Sequence, residues 1–182
     1  MGVFGFLKRR RLAAEHRPKL GGDERVVAWA GATGDNVVVA TNHGLWLPGA
    51  GERLGWHEIH KATWSGRQLA VVAAREVPAG GEEYTVTEDL PPLIITLLDP
   101  DRVPEQVRVR VNRSIAHTSH HPLDEITGRR GGVRVVGRRV PGVNGLRWTV
   151  RYDEGIDPQA PGVAEHTQEL VAWARSGVGT VP

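Results

Sequence analysis

The chain contains no cysteine. Disulfides, thiolate nucleophiles and sulfur-ligated zinc are therefore excluded. Aromatic residues other than tryptophan are scarce, with two Phe and two Tyr beside six Trp. No apolar run approaches the ~20 residues that a helix needs to cross a bilayer. The basic residues near the N-terminus are not followed by the apolar core of a secretory signal. A nucleophile elbow and a paired-carboxylate arrangement are both missing. The glycines of 128–137, GRRGGVRVVG, stand at the wrong intervals for a dinucleotide loop. The sequence therefore carries no signature of catalysis and implies no cofactor. A cytoplasmic location is the default expectation.

What is present is the composition of a globular protein, 182 residues with 40% apolar and 24% charged. The net charge of +2 is unevenly spread. Residues 1–22 hold six basic side chains against Glu15 alone, a net +5, which leaves −3 for the rest. The basic pI therefore comes from the tail, and overall charge is no argument that the body binds nucleic acid. Within the tail, Phe4 and Phe6 stand beside Lys8, Arg9, Arg10 and Arg11. Such a segment can touch a membrane surface or a protein partner, or it can be a solvated leader. The usage of Arg, Gly, Ala and Val points to a bacterial source of high GC content.

Residues 36–64 read as a β-meander. Val37, Val39 and Thr41 alternate with Val38 and Ala40, the two-residue period of a strand. Asn42-His43-Gly44 signals a tight hairpin, and Pro48-Gly49 ends the return strand. A strand over 53–56 meets another over 61–64, with a corner at 57–60 between them. Strands over 25–30 and 69–74 flank the meander, and strands over 83–87 and 93–98 are expected to pair with each other. Residues 103–117 are ambiguous. Val107, Val109 and Val111 alternate with arginines as in a strand, whereas Val103, Val107, Val111 and Ile115 recur every four residues as in a helix.

The hairpin VVVATNHGLWL and the following RLGWHEIHKATW, with Trp56 and Ile59 at its corner, resemble the bacterial pleckstrin-homology-like family over roughly residues 24–120. The resemblance implies a seven-stranded bent sheet or partial barrel closed by a C-terminal helix. It places that helix at 103–117. It implies a scaffold for binding or assembly and names no ligand. Asn42-His43-Gly44 carries no Lys or Arg, so a phosphoinositide site does not transfer with it.

Beyond the resemblance, strands over 133–140 and 146–152 flank a turn, and a helix is expected from near Pro161 to Arg175. The complete expectation is an α+β protein: a basic flexible tail (1–22), a helix-capped antiparallel barrel (23–122) and a packed C-terminal ββα unit (123–182). In the distal hairpin Arg134 and Arg138 share a face, as do Arg147 and Arg151. If the registers match, the four form an outward anion-binding cluster. The alternative is the ordinary polar face of a hairpin. His117, His120 and His121 form the densest polar group. A helix continued through them would set His117 and His121 one turn apart, as metals use. A helix C-terminus also attracts histidine without any metal. His57 and His60 read as exposed corner residues, and the tryptophans mostly as core. The sequence is read as a non-catalytic binding or assembly module with a protein partner or anionic surface. Nucleic-acid or anion binding by the distal arginines ranks second, and a histidine metal protein third.

Overall fold

The computed structural model describes residues 11–177. It is a mixed α+β structure, mostly sheet. The first sheet follows chain order: β1 (Val26–Ala32), β2 (Asn36–Thr41), β3 (Gly44–Trp46) and β4 (Leu54–Gly55). A 3₁₀ turn at Trp56–Glu58 leads into β5 (Ile59–Trp64), and β5 pairs with the 14-residue β6 (Gln68–Gly81). Then β7 (Tyr84–Asp89) and β8 (Leu93–Thr96) both return onto β6. They occupy different halves of that strand, β8 against residues 68–71 and β7 against residues 74–81. They are therefore not partners of one another, which corrects the expected last pair.

A bridge between Ala32 and Leu97 ties β8 to β1. The two sheets thus curl into a half-barrel around Leu45, Trp56, Ile59, Leu69 and Val71. Leu47 and Leu54 pack at the margin of this core. Helix α1 (Val103–Ser114) closes it. Pro104 stands in its first turn, where a missing N–H costs nothing. Val103, Val107 and Val111 recur every four residues and are all buried on one stripe.

The helix ends at Ser114, three residues before the expected boundary. Residues 115–122 form β9 (Ile115–Pro122), pulled into extended geometry by pairing with β10 (Gly132–Arg138). A short α2 (Asp124–Thr127) joins them. β10 pairs with β11 (Arg147–Tyr152), and β11 runs parallel to β7. The larger sheet therefore has the order β5-β6-β7-β11-β10-β9. On one of its faces lies α3 (Val163–Ser176), burying Val163, Thr167 and Val171. Gly177 ends α3 with φ +70°, a conformation that suits glycine at a helix C-cap. This second core holds Tyr84, Val86, Leu123, Val133, Val135, Val150 and Ile156. Gly137 leaves room for its cross-strand neighbour Trp148, since a Cβ there would meet the indole at 3.0 Å.

Trp56 is buried, while Trp64 and Trp148 pack against the two cores. Among the described residues no helix is long and apolar enough to cross a membrane.

Candidate binding groove

The hairpin register places Arg134 opposite Arg151 and Arg138 opposite Arg147. Their face is turned away from α3, because Val133, Val135 and Val150 fill the other side. The sheet order then brings acids from β6 and β7 to meet them. Arg147 pairs with Glu76. Arg151 Nη1 donates to both oxygens of Asp89, at 2.6 and 2.9 Å. Arg138 does not point into solvent. It is 4% exposed, and its Nη1 donates to Ser114 Oγ at 2.8 Å at the end of α1. Arg134 is half-buried beside His120, and its charge helps hold the Asp153 carboxyl low. Three of the four arginines are thus engaged within the fold.

His60 crosses from β5 to this face. Its Nδ1–H donates to Asp89 Oδ1 at 2.6 Å, since a carboxylate only accepts. Its Nε2 lies 3.2 Å from Thr87 Oγ1. Burial lowers the His60 pKa, and the opposing pull of Asp89 does not restore it. Burial would raise the Asp89 pKa, but the bonds from His60 and Arg151 hold it below the usual carboxylate value. Carboxylate, imidazole and hydroxyl stand in the order of a nucleophile relay. Thr87, however, is 4% exposed, and its single hydroxyl proton also faces the Val150 carbonyl at 3.3 Å. The arrangement therefore interlocks three strands. His57 and His60 are not the exposed corner residues expected from sequence: His60 is largely covered, and His57 Nδ1 is buried without a hydrogen-bond partner.

The histidines of β9 split between faces because the segment is a strand. His117 and His121 lie on the α3 side, both with Nε2 near Ser119 Oγ, at 3.2 and 2.9 Å. His117 rests on Trp148, and His121 and Trp173 stand nearly perpendicular to one another. His120 points the other way and reaches Asp153 Oδ2 at 2.8 Å. The one-turn helical spacing does not arise. Among the described residues no group of three or more His, Cys, Asp or Glu could hold a metal ion.

A groove of about 640 Å³ opens where β7 and β11 part. Their parallel ladder has only two residue pairs, Thr85–Thr149 and Val86–Val150. Beyond Val150 the hydroxyl of Thr87 faces the carbonyl that a longer ladder would use. The groove is lined by residues 86–89 of β7 and by Arg151, Tyr152 and the loop through Pro158. Glu88, Asp89, Asp153 and Glu154 line it against Arg151 alone, so its rim is acidic. Glu88 is tied to Arg75 and Asp153 to the Gly132 N–H. Sequence reasoning found Arg151 but missed the groove, because nothing local marks a parallel pairing between strands about sixty residues apart.

In the tail, Phe4, Phe6, Lys8, Arg9 and Arg10 lie outside the described residues, and Arg11 is exposed. Leu12 is buried, and residues 14–16 form a 3₁₀ turn. Comparisons with protein-family models, curated proteins and solved structures find no match to this chain.

Proposed function

We propose that the chain is a non-catalytic, cytoplasmic binding or assembly module of the pleckstrin-homology-like kind, and that it receives an extended, basic polypeptide segment between β7 and β11. The observation that carries this reading is the two-pair ladder opening into a groove of about 640 Å³. An added peptide strand gains affinity from main-chain hydrogen bonds along a strand edge and specificity from flanking side chains. Diverging strands offer such edges, and the rim carboxylates of Glu88, Asp153 and Glu154 favour lysine and arginine in the guest. The half-barrel with its capping helix supports the family reading, and the engagement of Thr87, His60 and Asp89 with one another favours binding over chemistry.

Fluorescence polarisation with a labelled lysine- and arginine-rich decapeptide tests the reading, with an aspartate- and glutamate-rich decapeptide as control. The basic peptide should bind and the acidic one should not. The double variant Glu88→Lys/Glu154→Lys should lose the interaction. Undiminished binding by the folded double variant, or no binding by the wild type, overturns it.

A further inference from the structure

A second cluster of arginines stands elsewhere, at the C-terminal end of α1. A cleft of about 220 Å³ there is lined by Asn42, Trp56, Arg110, Arg113, Ser114, Arg139, Val140 and Pro141. Among the described residues no carboxylate pairs with Arg110, Arg113 or Arg139. Arg110 Nε is buried and has no hydrogen-bond partner. A buried guanidinium N–H without an acceptor is costly and calls for an explanation. The groups that act on Arg110 electrostatically are Arg113 and Arg25, both of its own sign.

Part of this cluster has a purely structural role. Arg139 Nη1 donates to the carbonyls of Arg113 and Ile115, capping the helix end, where cations are favoured. Beneath the cleft, Arg138 is satisfied by Ser114 Oγ, which in turn donates to the Val111 carbonyl at 2.7 Å. Capping does not account for Arg110, whose Nε is aimed at no protein acceptor. The helix end accounts for Arg113 and Arg139, but not for the covered Arg110 Nε at a cleft walled by Val140 and Pro141.

We infer that this cleft is an anion-binding site for a phosphate monoester carried on a small apolar body. Arg110 and Arg113, three residues apart on one helix face, are placed to hold a dianion together. Arg25 and Arg139 add to the positive field. Val140, Pro141 and Trp56 supply the apolar contact that inorganic phosphate alone would leave unused. The volume suits a small molecule or a single terminal group. A nucleic-acid strand needs a continuous basic track, and the distal arginines do not provide one because Glu76 and Asp89 neutralise Arg147 and Arg151 while Arg138 is buried.

Calorimetric titration of the full chain with phenyl phosphate, inorganic phosphate and a single-stranded DNA oligonucleotide tests the inference. Phenyl phosphate should bind more tightly than inorganic phosphate. Arg110→Gln/Arg113→Gln should weaken phenyl phosphate by about tenfold or more. Arg134→Gln, remote from the cleft, should leave binding unchanged and serves with thermal melting as the control for folding. Equal affinity for the two phosphates removes the apolar half of the inference. Unaltered binding by the folded double variant, no phosphate binding at millimolar concentration, or tight binding of DNA alone overturns the whole. None of these outcomes depends on the acidic groove, which is tested with peptides.

Discussion

His60 on β5 and Asp89 on β7 meet with Nδ1 and Oδ1 only 2.6 Å apart, so a side chain from the half-barrel is fastened to a strand of the second core. Breaking this contact by His60→Ala leaves Asp89 with Arg151 but removes the acceptor beside Thr87. Loss of one partner from a covered polar pair costs roughly 1–3 kcal/mol. Urea denaturation should show that loss, and Asp89→Asn should show a comparable one. No change in midpoint for either variant would mean that the interlock contributes nothing.

Acid should destabilise the fold in two stages. Burial lowers the pKa of His57, His60 and His121 in the folded state. The unfolded chain therefore binds protons more readily as pH falls through the ordinary histidine value of about 6.5. Their contribution is full above that pH and is lost below it. Hydrogen bonds and nearby cations outweigh burial and hold Glu24, Asp89 and Asp153 below the usual carboxylate range. Their contribution is lost in turn as pH falls through about 4 and lower. Denaturation midpoints should rise from pH 5 to pH 7.5, and His121→Gln should flatten that rise. A flat profile in the wild type contradicts the buried neutral state of these histidines.

Glu24 is a buried carboxylate that gathers the start of the half-barrel. It accepts hydrogen bonds from Thr41 Oγ1 at 2.7 Å, Trp46 Nε1 at 3.1 Å and Arg53 Nη1 at 2.8 Å. Glu24→Ala removes the acceptor for Trp46 Nε1, Arg53 Nη1 and the Gly21 N–H, and leaves the Thr41 hydroxyl only the Gly44 carbonyl. The cost should be about 2–4 kcal/mol, below the limit for fully buried pairs because Arg53 is partly exposed. Glu24→Gln should lie between, since it keeps one acceptor. Calorimetric melting orders the three proteins.

Removal of the tail should depend on where the cut falls. A chain starting at Leu12 keeps a buried side chain, whereas a chain starting at Asp23 loses it together with the Gly21 N–H bond to Glu24. The second should be less stable than the first by about 2–3 kcal/mol. Equal stability would show that residues 12–22 behave as a solvated leader.

The meander was legible because its alternation and turns are local: Val38 and Ala40 turned inward, Asn42-His43-Gly44 reversed the chain, and Leu45, Trp56 and Ile59 reached the core. The valine stripe of α1 was legible in periodicity at Val103, Val107 and Val111, but Ile115 continued the four-residue spacing into what became a strand. Pairing with β10 decided that boundary, and such pairing is nonlocal. The register that sets Arg134 against Arg151 is open in the sequence, and the pairing of β10 with β11 decides it. The acids that meet the arginines were not legible, because Glu76 and Asp89 arrive from strands remote in sequence. Strand β6 hid its length behind Pro78 and its glycines, where a bulge between Val77 and Gly80 absorbs the irregularity.

The shared strand β6 has a consequence for any attempt to divide the molecule. The chain visits the half-barrel, leaves it for β7, returns for β8 and α1, and departs again through β9. Neither core is a contiguous stretch of polypeptide, and no single cut liberates one of them intact. During synthesis, the layer on α3 must wait for the last helix to emerge. A tandem duplication or gene fusion would have to carry both cores together as one heritable unit.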